Sequence, residues 1–340
     1  MRKKSTKEVK ILFRVSGGLG KNIMATAVVA QLRAANPTAT IHVQASYPRA
    51  FTALPGVDRV YGFQPNPDFR EVHRDYEIVA PEPYLDLGYR NKKRHLVDAW
   101  CDMAGVEPPN RKAGVINLST REKEYARQRC NRPAGKKLIA VQLSGGTSYY
   151  SAQEAGNPHQ SKHYRDLPRV IGQEIVTNLA QAGYIVLQIA LPTEPQYQGA
   201  MQIMQLMPNP NEIPDPRLVW ACMNECDGLI TIDTQALHAW HALGKAGAVV
   251  LWGGTHQNCL GYPDDVNMVN KDCKCDDLHC MRPDGALGDV EGDGAWVCPL
   301  DGACMNFSAQ RVIAEVQKKF APKAQAGEPR TDELQTEAGA

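Results

Sequence analysis

The sequence has no apolar run long enough to span a membrane and no excess of charge of one sign. Its longest apolar stretches, such as AGAVVLW at 246–252, fall far short of the ~20 residues that a bilayer span needs. With 38 basic and 37 acidic side chains the formal net charge is +1, so no overall field attracts nucleic acid or anionic lipid. The opening MRKKSTKEVK lacks the apolar segment of a secretory signal, and we expect a cytoplasmic protein without a transmembrane segment.

The 340 residues suffice for about two domains. Strand-like runs alternate with helical periodicity on both sides of a proline-rich break, EPPNRK at 107–112. Because short βα connections imply parallel sheets covered by helices on both faces, we predict an α/β protein of two Rossmann-like, doubly wound domains that face a cleft. The predicted strands are 10–15, 41–45, 57–63, 76–80, 137–144, 184–190, 228–233 and 246–252. The predicted helices are the segment after the first strand, 95–105, 166–183, 215–226, 234–244 and 308–320.

These elements give a predicted division of the chain. We expect an N-terminal domain at 1–112, a second domain at 113–265 and a Cys-rich segment at 266–307. The helix at 308–320 could pack back on the first domain. The remainder, 321–340, carries one leucine as its only large apolar residue and predicts a disordered tail.

A glycine-rich turn, SGGLGKN at 16–22, joins the first strand to the first helix. It removes side chains where a helix points its free amides, which lets a phosphate or a sugar approach the backbone. An ordinary structural turn explains the same glycines. The full glycine fingerprint of a dinucleotide site is missing and the second strand ends in Gln44, Ala45 and Ser46 rather than in an acidic residue, so a dehydrogenase is disfavoured.

Polar residues that suit a diphosphate follow three strands of the second half. Amides at a helix start, helped by one lysine, could neutralise a diphosphate without a divalent ion, so no catalytic metal is expected. Each residue also has an ordinary interpretation, as a surface lysine, a helix cap or a packed histidine. The candidates are Ser144 with the loop GGTSYYS at 145–151, Lys162, Asp233, Thr234, His238, Gly254 and Thr255.

Three stretches resemble bacterial heptosyltransferases of glycosyltransferase family nine. They are GGLGKNIMATAVVAQLRAANPTATIHVQ, LPGVDRVYGF and ECDGLITIDTQALHAWHALGKAGAVVLWGGT, and SKHYRDLP lies where that family has a lysine followed by an aromatic residue. The resemblance covers most of residues 10–260. It implies a GT-B fold and transfer of a sugar from a nucleotide-diphosphate donor with inversion at the anomeric carbon.

The resemblance also implies that 1–112 is the acceptor domain and 113–265 the nucleotide-sugar donor domain, and it implies roles for single residues. Lys162 and Thr234 would meet the diphosphate, and Asp233 and His238 would shape the donor site. Gly18 and Gly20 would border the reacting sugar.

One position departs from that family. Its glycine turn normally ends in an aspartate that serves or supports the general base, and this chain has Lys21 there. A lysine takes a proton at neutral pH only if burial lowers its pKa by several units. The candidate catalytic residues are therefore Lys21 and a substitute carboxylate, Asp86 or Glu82; otherwise the acceptor needs less activation or the protein no longer catalyses.

The ten cysteines fall into two groups. Five lie in helical or apolar stretches and predict buried free thiols: Cys101, Cys130, Cys222, Cys226 and Cys259. The other five crowd into one Gly- and Asp-rich segment, which favours a metal over disulfides: Cys273, Cys275, Cys280, Cys298 and Cys304.

The Trp-x-Cys-Pro pattern at Cys298 is similar to that of heptosyltransferases that modify autotransporter proteins, which carry a four-cysteine iron site near the C-terminus. That resemblance supports Cys298 and Cys304 as ligands of a structural zinc or iron. The other two ligands would come from Cys273, Cys275 and Cys280, and we choose Cys275 and Cys280. Free or disulfide-paired thiols in a surface flap are the alternative.

Together these patterns predict an inverting glycosyltransferase that moves a heptose or related sugar from an ADP- or UDP-linked donor to a hydroxyl. The alternatives are a catalytically silent nucleotide-sugar or glycan-binding subunit, which Lys21 favours, and a GT-B sugar-nucleotide epimerase or hydrolase. The acceptor, whether glycan, protein or nucleic acid, is not identified by the sequence, and the chain could form a homo-oligomer.

Overall fold

The computed structural model describes residues 9–145, 165–276, 278–280, 298, 300 and 302–320. Within them, helices cover two parallel β-sheets. Strands β1 to β10 are Lys10–Val15, Thr40–Ala45, Arg59–Tyr61, Glu77–Val79, Leu138–Gln142, Ile185–Gln188, Met201–Gln202, Gly228–Thr231, Val249–Trp252 and Val266–Val269. Helices α1 to α10 are Leu19–Ala35, Phe69–Val72, Leu87–Arg90, Leu96–Met103, Thr120–Arg129, Arg169–Gln181, Pro216–Asn224, Gln235–Ala242, Gln257–Leu260 and Ala309–Phe320. Lys162 and the tail 321–340 lie outside the described residues.

The first sheet has the strand order β3-β2-β1-β4, with parallel pairing throughout. β1 lies inside it, and its Phe13 is completely buried. The glycine turn links β1 directly to α1, which packs its apolar side on the sheet. The four strands predicted for this half are confirmed, although β3 and β4 are only three residues long.

The second sheet has the order β10-β9-β8-β5-β6-β7 and is also parallel. β5, β8 and β9 are buried along their whole length, which explains why LIAVQ, GLIT and VVLW show no polar alternation. β10 pairs with β9, so this sheet extends into residues 266–269, which the sequence analysis assigned to the Cys-rich segment. The sequence analysis also missed α5, which opens with a capping box formed by Ser119 and Glu122.

The last helix, α10, packs on α6 and β9 of the second domain. Its buried residues Val312, Ile313 and Val316 share one face and join the apolar cluster that includes Ile175 and Val249. The expectation that this helix returns to the first domain is therefore wrong. The apolar face of α10 packs against α6 and β9 instead, and so covers apolar surface of the second domain.

One of the two buried apolar clusters includes residues of both domains. α1 packs against α8, and the connecting segment passes so close to α1 that a Cβ on Gly114 would lie 2.2 Å from the carbonyl oxygen of Ile23. Thr26 Oγ1 accepts a hydrogen bond of 2.7 Å from the backbone amide of Val115. No helix among the described residues is both long and apolar enough to cross a membrane.

Candidate functional site

The N-terminus of α8 lies at the carboxyl edge of the second sheet. β8 ends at Thr231, and Thr234 caps the helix: its hydroxyl accepts from the amide of Ala236 at 3.3 Å and donates to Gln142 Oε1 at 3.0 Å. Gln142 is the last residue of the neighbouring strand β5. In open α/β sheets, ligands bind at this edge, so the cap and the N-terminus of α8 stand where a ligand would be expected.

Asp233 and His238 form the buried wall of this edge. Asp233 contacts Arg165, with Oδ2 and Nη1 3.3 Å apart, and His238 Nε2 is 3.9 Å from Asp233 Oδ1. His238 Nδ1 shares a 3.0 Å hydrogen bond with the hydroxyl of Tyr262. Burial lowers the pKa of His238 to about 4, although the Asp233 carboxylate opposes the shift. His238 is therefore neutral at neutral pH.

Replacing His238 with asparagine is expected to weaken the pH dependence of stability below the ordinary histidine pKa of 6.5. Between pH 6.5 and about 4 the unfolded chain binds a proton at His238 that the folded protein does not bind. The free energy of unfolding of the wild type should thus decrease as the pH is lowered through that window. This group contributes a decrease of up to about 1.4 kcal/mol per pH unit.

Urea unfolding of both proteins at about pH 7, 6 and 5 measures the difference. Groups that titrate in both proteins, Asp166 among them, cancel in the comparison. Equal slopes for wild type and variant would contradict this assignment.

The glycine turn of the first domain faces α8. A Cβ on Gly20 would lie 2.9 Å from His238 Cδ2 and 3.5 Å from the Cα of Gln235, so only glycine allows the two helices to approach this closely. A Cβ on Gly18 would meet no atom within 4 Å. The structure therefore brings Gly20 and His238 together and leaves room at Gly18, as a small ligand between the domains would require.

Lys21 is buried beside the same turn and pairs with Glu82. Its Nζ lies 2.8 and 2.6 Å from the two carboxylate oxygens of Glu82, 61 residues along the chain. The same ammonium lies 4.9 Å from the ring centroid of Tyr84 and 5.7 Å from that of Trp100. In this pair Lys21 is the hydrogen-bond donor and Glu82 the acceptor, and a catalytic role for Lys21 stays a prediction.

Asp86 has a structural role. Its Oδ1 accepts from the amide of Tyr89 at 2.8 Å, which caps α3, and its Oδ2 lies 3.5 Å from Arg94. A catalytic role for Asp86 stays a prediction. Glu82, rather than Asp86, is the carboxylate that the structure pairs with the residue at the end of the glycine turn.

Two carboxylates near Ser144, the buried Glu194 and the half-buried Asp166, were not predicted from the sequence. Ser144 Oγ donates to Glu194 Oε1 at 3.1 Å, and the amide of Gly145 donates to Asp166 Oδ1 at 2.7 Å. Burial raises the pKa of Glu194 and raises that of Asp166 to about 7. Glu194 follows the end of β6 and Asp166 precedes α6, and prolines stand near both residues. In the sequence, such a setting looks like an ordinary loop.

The Cys-rich segment contacts the loop that holds Gly254 and Thr255. A Cβ on Gly253 would lie 3.1 Å from Cys304 Sγ, and one on Gly254 would lie 3.8 Å from Cys280 Sγ. His279 Nδ1 is 2.8 Å from the carbonyl oxygens of both Gly253 and Thr255. These contacts place the segment directly against the predicted donor loop.

The five clustered cysteines share one region. Burial and the charges of the other four cysteines raise the pKa of Cys304 to about 12. These four are Cys273, Cys298, Cys280 and Cys275. Within the described ranges, no three His, Cys, Asp or Glu side chains stand in a ready-made metal-binding arrangement. The remaining five cysteines are buried free thiols, as predicted.

At the sequence level, no protein-family profile and no curated protein matches this chain. The fold matches solved structures. One is E. coli ADP-heptose LPS heptosyltransferase II, with 12% identity, a TM-score of 0.61, and coverage of 91% of this chain and 98% of that one. A family 9 glycosyl transferase from Veillonella parvula matches with 14% identity, a TM-score of 0.62, and coverage of 91% and 96%.

A third match is TibC, an iron-containing dodecameric glycosyltransferase from enterotoxigenic E. coli. It has 12% identity and a TM-score of 0.62, and the match covers 92% of this chain and 76% of TibC. TibC has also been solved in complex with ADP-D-β-D-heptose. The present chain thus has the GT-B fold of family 9 heptosyltransferases, as the sequence resemblance implied.

Proposed function

We propose that this protein is an inverting glycosyltransferase that moves a sugar from a nucleotide diphosphate to an acceptor hydroxyl. The observation that carries the proposal is the approach of Gly20 to His238, which sets the glycine turn of one domain against the α8 N-terminus of the other. A donor bound beside this contact, in the room at Gly18, would place its diphosphate at α8 and its sugar at the turn. The neighbour solved with ADP-D-β-D-heptose makes an ADP-linked heptose the first donor to test.

Charge and backbone geometry support this placement of the diphosphate. The positive end of the α8 dipole favours an anion beside Thr234. In the proposed site Lys162 adds one cation, Asp233 and His238 shape the donor pocket, and the Ser144 and Gly254–Thr255 loops line it. These groups would stabilise the leaving diphosphate with no divalent ion.

A catalytically silent donor-binding subunit is the second candidate. It is favoured by Lys21, which stands where the related enzymes have an aspartate. The two candidates differ in one observable, because a silent subunit binds the donor without transferring its sugar or releasing the nucleotide.

We further propose that Cys275, Cys280, Cys298 and Cys304 hold a structural zinc or iron. Sulfur ligands suit both ions, the four thiols lie in one region with Cys273, and one structural neighbour contains iron. Such an ion would tie the segment to the Gly253–Thr255 loop. The five buried free cysteines fit a reducing compartment, and we place the protein in the cytoplasm.

The metal site predicts a difference between two cysteine variants. Cys304→Ser should lose most of the bound zinc or iron measured by elemental analysis. Cys226→Ser should keep it, since that thiol lies at the end of α7 and bonds the carbonyl oxygen of Cys222 at 3.4 Å, a contact that a serine hydroxyl can replace. Equal metal content in the two variants would contradict the assignment.

A donor panel tests the glycosyltransferase proposal. ADP-D-β-D-heptose, other ADP-sugars, UDP-sugars and ADP alone are added without divalent ions, and thermal unfolding is recorded. A donor present at a hundredfold excess over its Kd should stabilise the protein by about 2.7 kcal/mol. Absence of stabilisation by every nucleotide sugar would contradict the proposal.

A further inference from the structure

We propose that Glu82 is the general base of the transfer reaction and that Lys21 is the positioning residue that aims its carboxylate. This inference rests on the proposed function. It explains how the chain could catalyse transfer although the usual aspartate of the glycine turn is replaced by a lysine.

In this ion pair Lys21 is buried and Glu82 is exposed to solvent on one side. The Lys21 side chain is 6% exposed and the Glu82 side chain 41%, so the ammonium holds the carboxylate from the protein side while the other side faces solvent. Tyr84 and Trp100 support the ammonium, and a Cβ on Gly17 would lie 3.3 Å from Lys21 Cδ. The lysine is thus fixed under the glycine turn.

The same turn connects this pair to the donor edge. Gly17 lies beside Lys21, and Gly20, three residues farther along the chain, lies beside His238. A sugar bound at the turn would therefore be near both the α8 N-terminus, where its diphosphate leaves, and Glu82. Inversion further requires Glu82 on the sugar face opposite to the leaving group, because the acceptor attacks from that face.

The proposed step involves only the donor, the acceptor hydroxyl and Glu82, and it needs no other reactant. As the acceptor oxygen forms its bond to the anomeric carbon, Glu82 takes the hydroxyl proton. The bond between the anomeric carbon and the phosphate oxygen breaks, and its electron pair leaves on the nucleotide diphosphate. Glu82 Oε1 accepts from both Lys21 and the amide of Tyr84, at 2.8 and 3.4 Å, whereas Oε2 accepts from Lys21 and retains a second lone pair for the proton. The protonated Glu82 returns its proton to water through its exposed side.

The test compares Glu82→Gln with Glu71→Gln. Glu71 is the matched control, since it is also a glutamate of the first domain that forms an ion pair, at 2.9 Å from Arg74. Its side chain is 71% exposed and lies on a separate helix, α2. The assay follows release of ADP from ADP-D-β-D-heptose with water as acceptor, and titration calorimetry measures binding of the same donor. Glu82→Gln should lower the release rate at least about a hundredfold with unchanged donor affinity, and Glu71→Gln should leave both unchanged.

A second variant separates chemistry from structure. In Glu82→Ala, added formate should restore part of the release rate, which a carboxylate needed only for folding would not show. Release by Glu82→Gln within about twofold of wild type overturns the assignment, and so does a wild type that binds the donor but releases no ADP. A wild type that binds no nucleotide sugar overturns the proposed function itself, so the two failures are distinguishable.

Discussion

Replacing Arg217 with methionine is expected to lower the free energy of unfolding by about 3–5 kcal/mol, the largest loss that we predict for one side chain. Arg217 lies in α7 with its side chain 3% exposed, and it binds both carboxylate oxygens of Glu122 at 2.5 and 2.9 Å. It also donates to the carbonyl oxygens of Asn117 at 2.6 Å and Thr52 at 3.3 Å. One guanidinium thus joins α7, α5 and the first domain.

The variant leaves Glu122 without its partner. Burial by itself raises the pKa of Glu122, but hydrogen bonds from Arg217 and Ser119 outweigh burial and lower the pKa to about 2. Urea unfolding near neutral pH measures the loss. The control is Arg49→Met, which removes an ion pair with Asp215 on a side chain that is 59% exposed and should cost about 1 kcal/mol or less. Similar losses for the two variants would contradict the role given to Arg217.

Replacing Gly20 with alanine is expected to weaken donor binding at least about tenfold, or about 1.4 kcal/mol. The added methyl group would lie 2.9 Å from His238 Cδ2, and His238 cannot turn away because it is buried and bonded to Tyr262. α1 must then move away from α8, which separates the two halves of the proposed site. Overpacking of this kind should also lower the free energy of unfolding by about 1–3 kcal/mol.

The matched control is Gly62→Ala, where a Cβ would meet nothing closer than 3.7 Å. Calorimetry with ADP-D-β-D-heptose and thermal unfolding measure the two effects. If Gly20→Ala binds the donor as tightly as Gly62→Ala, the close approach of the two domains at this point has no part in donor binding.

The sequence was sufficient where one local rule decides the structure. Buried parallel strands are continuous apolar runs, and the helix after Asp233 begins at a threonine that caps it, so β8, β9 and α8 could be predicted. The family resemblance implied that Gly20 borders the reacting sugar and that His238 shapes the donor site, and these roles stay predictions. The structure brings the two residues together.

Other features depend on partners distant in sequence. The pairing of Lys21 with Glu82 spans 61 residues, and nothing local distinguishes Glu82 from Asp86. α5 has little apolar character, with one buried residue, Ala126, so its periodicity is weak and its capping box was overlooked. The direction in which α10 packs is set by the free apolar surface on α6 and β9, which sequence periodicity does not show.

The most direct test of the central claim is a crystal structure of the protein with ADP-D-β-D-heptose bound. The account predicts the diphosphate at the α8 N-terminus beside Thr234, with the sugar between Gly18 and the Glu82 carboxylate. A nucleotide bound elsewhere, with the space between Gly18 and Thr234 empty of ligand, would contradict it.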